Sequence, residues 1–431
     1  MFTTALIEKV LRASGIRKEF APGIISNVSI DSRSCRKNSF FFAFKGENVD
    51  GHDFIPALLE KGVLCAGEKD LPENDLYIKV PNVLDFLSAL AKERRKLFKG
   101  TVFAITGSSG KTSTRQLTVS MLQLLSKSVH ATSGNLNNHI GLPLVILNTP
   151  MNIDALVLEM GMNHAGEIRH LTEIADPDLS VITNIGTAHI GNFRSQKDLA
   201  FAKLEIFEYS KGIVVADTGN EFIKKWVGSN RSKRKIVEYS SSDSEKIAPE
   251  FDYLEKYMVE NLYTASVTVK ASEGIIPDLG KVVTNASFPS MRGEIRKVEN
   301  RTFVVDCYNA NPGSMRSSIE NFYEKYSRKS GSETYLILGS MFELGEFSKK
   351  MHEELVNYLK NLNLLKRVFL IGCEFEKTRP GFLNEKKVLF LGDITDIPEH
   401  LPKEGVFLLK GSRGNRMEKI FDLLEKIGGV D

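Results

Sequence analysis

The sequence predicts an α/β protein built on mostly parallel sheets with helices on both faces, and three observations carry that prediction. From Val102 onward, short apolar β-branched runs alternate with helix-period segments, the rhythm that strands and crossover helices produce. The first strand of that series runs straight into a glycine turn and a helix start, in VFAITGSSGKTS (Val102 to Ser113). A chain of 431 residues has room for roughly two to four such units.

The elements divide the chain into three predicted domains, 1–98, 99–297 and 298–431. In the first, apolar runs predict strands at 39–44 and 77–80, and an amphipathic stretch predicts a helix over 83–98. In the second, strands are expected at 102–106, 155–160, 180–184 and 212–216, with helices between them at 113–126 and 165–175. Between Val267 and Met291 the pattern thins into a stretch containing Gly and Pro. The third domain alternates again, with strands at 302–306, 334–338, 367–371 and 405–410. Its helices are expected at 314–326, 348–361 and, closing the chain, 416–427.

Composition narrows the class. With 42% apolar and 26% charged residues the chain reads as an ordinary globular protein. A net charge of +3 gives no reason to expect a nucleic-acid partner, and the basic run Lys224 to Lys235 reads as a solvated surface. Cys35, Cys65, Cys307 and Cys373 are scattered without a CxxC pair, which argues against a disulfide framework or zinc site and fits a cytoplasmic protein. No run approaches the ~20 apolar residues of a membrane helix, so no membrane insertion is expected.

The Thr106 to Ser113 segment (Thr106, Gly107, Ser108, Ser109, Gly110, Lys111, Thr112, Ser113) is suited to phosphate. A strand delivers a loop whose backbone N–H groups gather at a helix N-terminus, where the dipole favours an anion. Gly107 and Gly110 let the backbone approach a triphosphate, Lys111 can reach its outer oxygens, and Thr112 offers a hydroxyl to Mg²⁺. The loop has two residues between its glycines where the general pattern has four.

In an open parallel sheet, ligands sit beyond the carboxyl ends of the strands, so polar residues there are the candidates. Glu159 ends an apolar run and suits a magnesium-binding carboxylate; Asn184 ends another, and His189 follows in its loop. In FAKLEIFE (Phe201 to Glu208), Phe201, Leu204 and Phe207 form the apolar stripe, and spacing alone reads Lys203 as an exposed helix lysine. The loop SGNLNNHIGLP, with Asn135, Asn137 and Asn138, is either a turn-rich connection or a set of donors for a polar ligand. In the third domain, VVDCYNANPGSM places Asp306, Tyr308, Asn309 and Asn311 after a strand. LGSMFELGEFS and LLKGSRGNRMEKI do the same for an acidic glycine-rich loop and for Lys410 and Arg413, which could grip a carboxylate.

Taken together, TGSSGKT, GNLNNHIGLP, LEMGMNHAGEI, TNIGTAHI, AKLEIFE, DCYNANPGSM, LGSMFELGEFS and LLKGSRGNRMEKI resemble the Mur ligases of bacterial cell-wall synthesis. DSR (Asp31 to Arg33) and FFAFKGENVDGHDF (Phe41 to Phe54) resemble that family's uridine-nucleotide domain, so the resemblance spans nearly the whole chain. It implies a three-domain architecture: a small α/β domain for UDP-N-acetylmuramoyl (UDP-MurNAc) substrate, a central P-loop ATPase-type domain, and a Rossmann-like domain for dipeptide and part of ATP. It also implies an ATP-dependent peptide ligase joining D-alanyl-D-alanine (D-Ala-D-Ala) to UDP-MurNAc-tripeptide through an acyl phosphate, in peptidoglycan precursor synthesis, acting as a monomer.

Residue roles follow from the resemblance alone. Ser32, Arg33, Phe44 and Gly46 would contact the uridine nucleotide. Thr112 and Glu159 would hold one Mg²⁺, and His189 a second. Lys203 matches the lysine that CO₂ carbamylates in the family, reversing its reading as a surface residue. Asn261 would lie near adenine, Arg292 at an ATP phosphate and Asp306 at ribose. Thr264 stands at the second family asparagine, Ser340 where the family usually has Asp, and His139 where an acidic residue is common. The alternatives are a sibling ligase adding one amino acid, a folylpolyglutamate synthase-like ligase, and a nucleotide-binding protein without ligation.

Overall fold

The computed structural model describes residues 2–288, 290–379 and 387–428. Three α/β domains follow one another along the chain. The first carries a four-stranded parallel sheet, Asn27–Ser29, Ser39–Phe42, Leu64–Gly67 and Tyr77–Lys79, in that spatial order. Ser39–Phe42 is buried along its whole length, so its aromatic run is core on both faces. The helix Val83–Leu97 starts where Asn82 accepts a hydrogen bond from Asp85 N, and Arg94, Arg95 and Lys96 in its last turn complement the dipole. Its apolar face (Phe86, Leu87, Leu90, Ala91) packs on the helices Gly141–Asn148 and Glu167–Ala175 of the next domain.

The central sheet has six strands, all parallel, in the order Ile236–Tyr239, Ile213–Asp217, Leu179–Ile182, Thr101–Thr106, Ala155–Glu159, Val129–Ala131. Val102 and Ala104 of the middle strand face one apolar cluster, Phe103 and Ile105 another, so both faces are covered. From Thr101–Thr106 the chain winds first to one side and then to the other. The carboxyl end of this strand is therefore the topological switch point, where α/β sheets bind their ligands.

The third domain also has a six-stranded sheet, ordered Glu294–Val298, Asn300–Val305, Glu404–Lys410, Thr334–Gly339, Arg367–Ile371, Val388–Leu391. Only its first pair is antiparallel. The neighbouring strands Asn300–Val305, Glu404–Lys410 and Thr334–Gly339 bring all three polar loops of this domain to one end.

Three segments differ from their expected form. Where the pattern thins after Val267 the chain is largely helical: helix Lys256–Glu273 runs into it, ends at Gly274 (φ 76°), and a short helix Leu279–Asn285 follows. Its Val and Thr residues are weak helix formers, and packing against helix Lys111–Leu124 overrides that preference. The helix expected at 314–326 is α-helical over Pro312–Phe322, started by an Asn311–Ser314 capping box, and becomes a π-helix over Tyr323–Lys329. The last helix begins at Lys419, because Arg416 takes a left-handed conformation (φ 49°); the side chain of Ile427 lies outside the described residues.

Candidate active site

A cleft of about 590 Å³ opens between the carboxyl ends of the central and C-terminal sheets. Its floor is the phosphate loop. Gly110 (φ 77°) lies against the Asn261 amide, where any Cβ would collide, so both the backbone angle and the space demand glycine. Asn184 holds the loop from the neighbouring strand: its Oδ1 accepts from Ser109 N at 3.0 Å, and its Nδ2 donates to Ser109 O and Oγ at 3.0 Å. Expected to touch substrate, Asn184 has its side-chain amide committed to shaping this loop. Thr106 likewise spends its hydroxyl on Met160 O, and Gly107 packs against Thr183 beneath the floor.

Lys111 Nζ donates to Gly107 O at 2.8 Å, curled over the loop it would leave to meet a phosphate. Burial pushes its amine below the ordinary lysine value and Arg292 adds to this, while Glu159 and Glu343 oppose it. Glu159 is buried; Asn137 Nδ2 donates to its Oε1 at 2.9 Å, and Oε2 makes no hydrogen bond. Arg115, one turn along the phosphate helix and equally buried, stops 3.8 Å from that oxygen. Arg292 Nη2 donates to Thr112 Oγ1 at 3.3 Å, and its guanidinium stacks over the Tyr308 ring at 4.3 Å.

His189 projects from a left-handed position (φ 65°) with Nδ1 2.6 Å from Glu343 Oε2, close in distance but off the line of a hydrogen bond. Thr112, Glu159 and His189 all line the cleft with Lys111. Among the described residues no group of three His, Cys, Asp or Glu side chains could cage a metal. The unbonded buried oxygen Glu159 Oε2, with His189 lining the same cleft beside a phosphate loop, instead suits a cation that takes most of its ligands from phosphate and water, as Mg²⁺ does. These residues therefore fit magnesium.

Lys203 is 1% exposed, overturning the surface reading that spacing suggests. Its helix, Gln196–Tyr209, packs against the Leu179–Ile182 strand and turns Lys203 inward with Leu204 and Phe207. No hydrogen bond or ion pair engages its amine among the described residues. Burial drives its pKa well below the ordinary value, helped by repulsion from Lys111.

From the far side, Asp306 accepts from Ser318 Oγ at 2.9 Å and pairs with Lys410 Nζ at 2.7 Å. Lys410 is thus already neutralised by a carboxylate of its own chain. Arg413 is exposed, pairs with Glu418 at 3.0 Å and does not line the cleft, so the pair does not form the expected carboxylate clamp. Asn137, Asn138, Asn309 and Asn311 do line it; Asn135 does not. Asn261 is buried and accepts from Thr114 Oγ1 at 3.3 Å, while Thr264 accepts from Tyr239 OH at 3.1 Å and faces away from the cleft lining.

Ser32 and Arg33 sit in a 3-10 turn and Phe44 and Gly46 in the loop after strand Ser39–Phe42, all in the N-terminal domain and apart from this cleft. Arg33 is exposed and holds Asp31 in a two-point ion pair at 2.7 and 2.9 Å, which lowers the Asp31 carboxyl to about 2. Sequence reasoning missed Arg115 and Glu343. Arg115 follows Lys111 at helical spacing, a usable signal; Glu343 sits in a quoted motif but comes from the other domain, which spacing cannot reveal.

Comparison with known proteins agrees with this layout. Three family models cover consecutive parts of the chain: the Mur ligase family catalytic domain at residues 24–95, the Mur ligase middle domain at 105–281, and the Mur ligase glutamate ligase domain at 291–413. The UDP-N-acetylmuramoyl-tripeptide–D-alanyl-D-alanine ligase of Bacillus subtilis is 32% identical over 462 aligned positions, covering 98% of each chain. A crystal structure of MurF from Acinetobacter baumannii superposes with a TM-score of 0.84 at 25% identity, covering 98% of this chain and 99% of that one. MurF ligase from Thermotoga maritima in complex with ADP gives 0.79 at 30% identity, covering 93% and 97%. With its three domains in this order and a relative at this identity along its whole length, the chain belongs to the Mur ligase family.

Proposed function

We propose that this chain is the ATP-dependent ligase that joins D-Ala-D-Ala to UDP-MurNAc-tripeptide, yielding UDP-MurNAc-pentapeptide, ADP and phosphate. The observation that carries the reading is the meeting, in one cleft, of a phosphate loop with the polar strand ends of a second sheet, in a chain similar along its whole length to relatives of that name. Residues 1–98 bind the UDP-MurNAc portion, 99–297 bind ATP, and 298–431 bind the dipeptide and part of the nucleotide. No helix among the described residues is long and apolar enough to cross a membrane, and the working unit is a cytoplasmic monomer.

A carboxylate is a poor electrophile, so it must first be activated. A carboxylate oxygen of the tripeptide attacks the γ-phosphorus as the bond to the β–γ bridging oxygen breaks, giving an acyl phosphate and ADP. The dipeptide amine then attacks the carbonyl carbon, loses a proton, and phosphate departs with the former carboxylate oxygen. Both partners of the first step are anions, and the chain's own groups must offset their repulsion. Lys111 leaves Gly107 O for the phosphates, the loop N–H groups cradle them, and Arg292 reaches the same region from the domain boundary. Asn261 lies beside adenine and Asp306 beside ribose. Thr112, Glu159 and His189 would hold magnesium, which supplies further neutralisation of the transferring phosphoryl group.

A buried lysine held neutral is nucleophilic towards CO₂, so Lys203 is set up for carbamylation; the product is an anion beside Lys111. The test is phosphate release from ATP and Mg²⁺ with both substrates and with each omitted, and product identification by mass. Release should require both and yield the pentapeptide, and Lys111→Ala or Glu159→Ala should lower the rate by about 10²–10³-fold. Release indifferent to the dipeptide would refute the assignment.

A further inference from the structure

We propose that Glu343 is a positioning residue for this reaction: delivered by the C-terminal domain, its carboxylate orients the His189 imidazole so that Nε2 is left for the magnesium–phosphate site, which is complete only when the two domains are closed. The inference rests on reading His189 as a metal-facing group.

Three independent features of the chain converge on this contact. Glu343 Oε2 lies 2.6 Å from Nδ1 of His189, leaving Nε2 as the ring nitrogen available to the cleft that His189 lines. The backbones are joined as well, Gly191 N donating to Glu343 O at 3.0 Å. Finally, the turns carrying the two residues, Ile190–Asn192 and Gly345–Phe347, pack face to face through bare glycines. A Cβ on Gly191 would strike the backbone of Leu344 and Gly345, and one on Gly345 would strike Gly191. Both His189 (φ 65°) and Glu343 (φ 62°) hold left-handed conformations that non-glycine residues rarely adopt. Such strain is retained where surrounding structure requires it, and here it aims the two side chains at each other across a domain boundary.

A ligating histidine typically gives its second ring N–H to a carboxylate, which fixes its tautomer and orientation and strengthens it as a ligand. Glu343 has the chemistry and the proximity for that role, 2.6 Å from Nδ1 though off the line of a hydrogen bond until the ring turns.

The experiment is a double-mutant cycle on nucleotide binding by calorimetry, using a non-hydrolysable ATP analogue with and without Mg²⁺. Glu343→Gln and His189→Gln should each weaken the magnesium-supported binding by about 10–100-fold. The double variant should be no weaker than the worse single one, and binding without Mg²⁺ should stay unchanged in all three, which also shows that they fold. Gly191→Ala, which keeps both side chains but blocks the turn packing, should reproduce the magnesium defect. In ligation assays Glu343→Gln should lower kcat and leave KM for UDP-MurNAc-tripeptide unmoved. A Glu343→Gln enzyme with unaltered magnesium dependence, or losses that multiply in the double variant, overturns the proposal. Because binding is read without turnover, a chain that shows the coupling yet makes no pentapeptide would refute the ligase reading and keep this one.

Discussion

Lys203 joins deep burial to the carbamylation proposed for it. Its side chain is buried and its amine has no partner among the described residues, so the folded protein disfavours the proton that the unfolded chain binds up to about the ordinary value of 10.5. Between that value and the depressed folded one, unfolding takes up a proton, and stability must rise with pH across this window. In CO₂-depleted buffer, Lys203→Met should therefore unfold at higher temperature than wild type at pH 7. Wild type should close the gap as pH is raised towards 10, while the variant gains nothing from this source. Ligation by the variant should be lost. Calorimetric melts at pH 7 and 9.5 check this, and a variant less stable than wild type at both would show that the amine has a partner worth keeping.

At the scale of elements, the phosphate loop is a strand end, a glycine turn and a helix start held by groups from three other segments. Gly110 supplies the positive φ and the space for Asn261, so Gly110→Ala meets both penalties: about 1–2 kcal/mol for the left-handed alanine and a displaced Asn261 besides. We expect a lower unfolding midpoint in urea and ATP-analogue affinity reduced at least tenfold; unchanged affinity would show that the loop relaxes freely. This element was fully legible in the sequence, because strand, glycines and Lys-Thr are contiguous and each is required locally. The strands flanking it were legible for the same reason, as unbroken apolar runs. Helix Lys256–Glu273 was not, since its Thr and Val residues become helical only through burial against the phosphate helix. Asn184 and Lys410 were legible as polar strand ends but not in their roles, because their partners, Ser109 and Asp306, are 75 and 104 residues away. Lys203 inverts the lesson: period placed it off the stripe, and only the fold's second layer buries that face.

For the whole molecule, the two domain boundaries differ in kind. Helix Val83–Leu97 packs on two central helices, and hydrogen bonds cross beside it: Val28 N to Asn148 Oδ1 and Asn148 Nδ2 to Val28 O at 2.9 Å, Arg95 Nε to Ala175 O at 2.7 Å. The C-terminal boundary instead carries few hydrogen bonds among the described residues, Gly191 N to Glu343 O at 3.0 Å and an exposed Lys325–Tyr253 bond, beside a glycine-faced turn contact and the buried Ile190 and Leu344. A boundary tied by helix packing and several hydrogen bonds opens at higher cost than one joined by few. The N-terminal and central domains should then behave as one body and the C-terminal domain as the moving part, which suits a cleft that must admit a nucleotide and then exclude water from an acyl phosphate. Hydrogen exchange should show Val28 as protected as the Thr101–Thr106 strand. Residues 188–192 and 342–346 should exchange quickly in the free enzyme and slow together when a magnesium–ATP analogue binds. If 342–346 are already as protected as the central strands without ligand, closure is the resting state and ligands enter by another route.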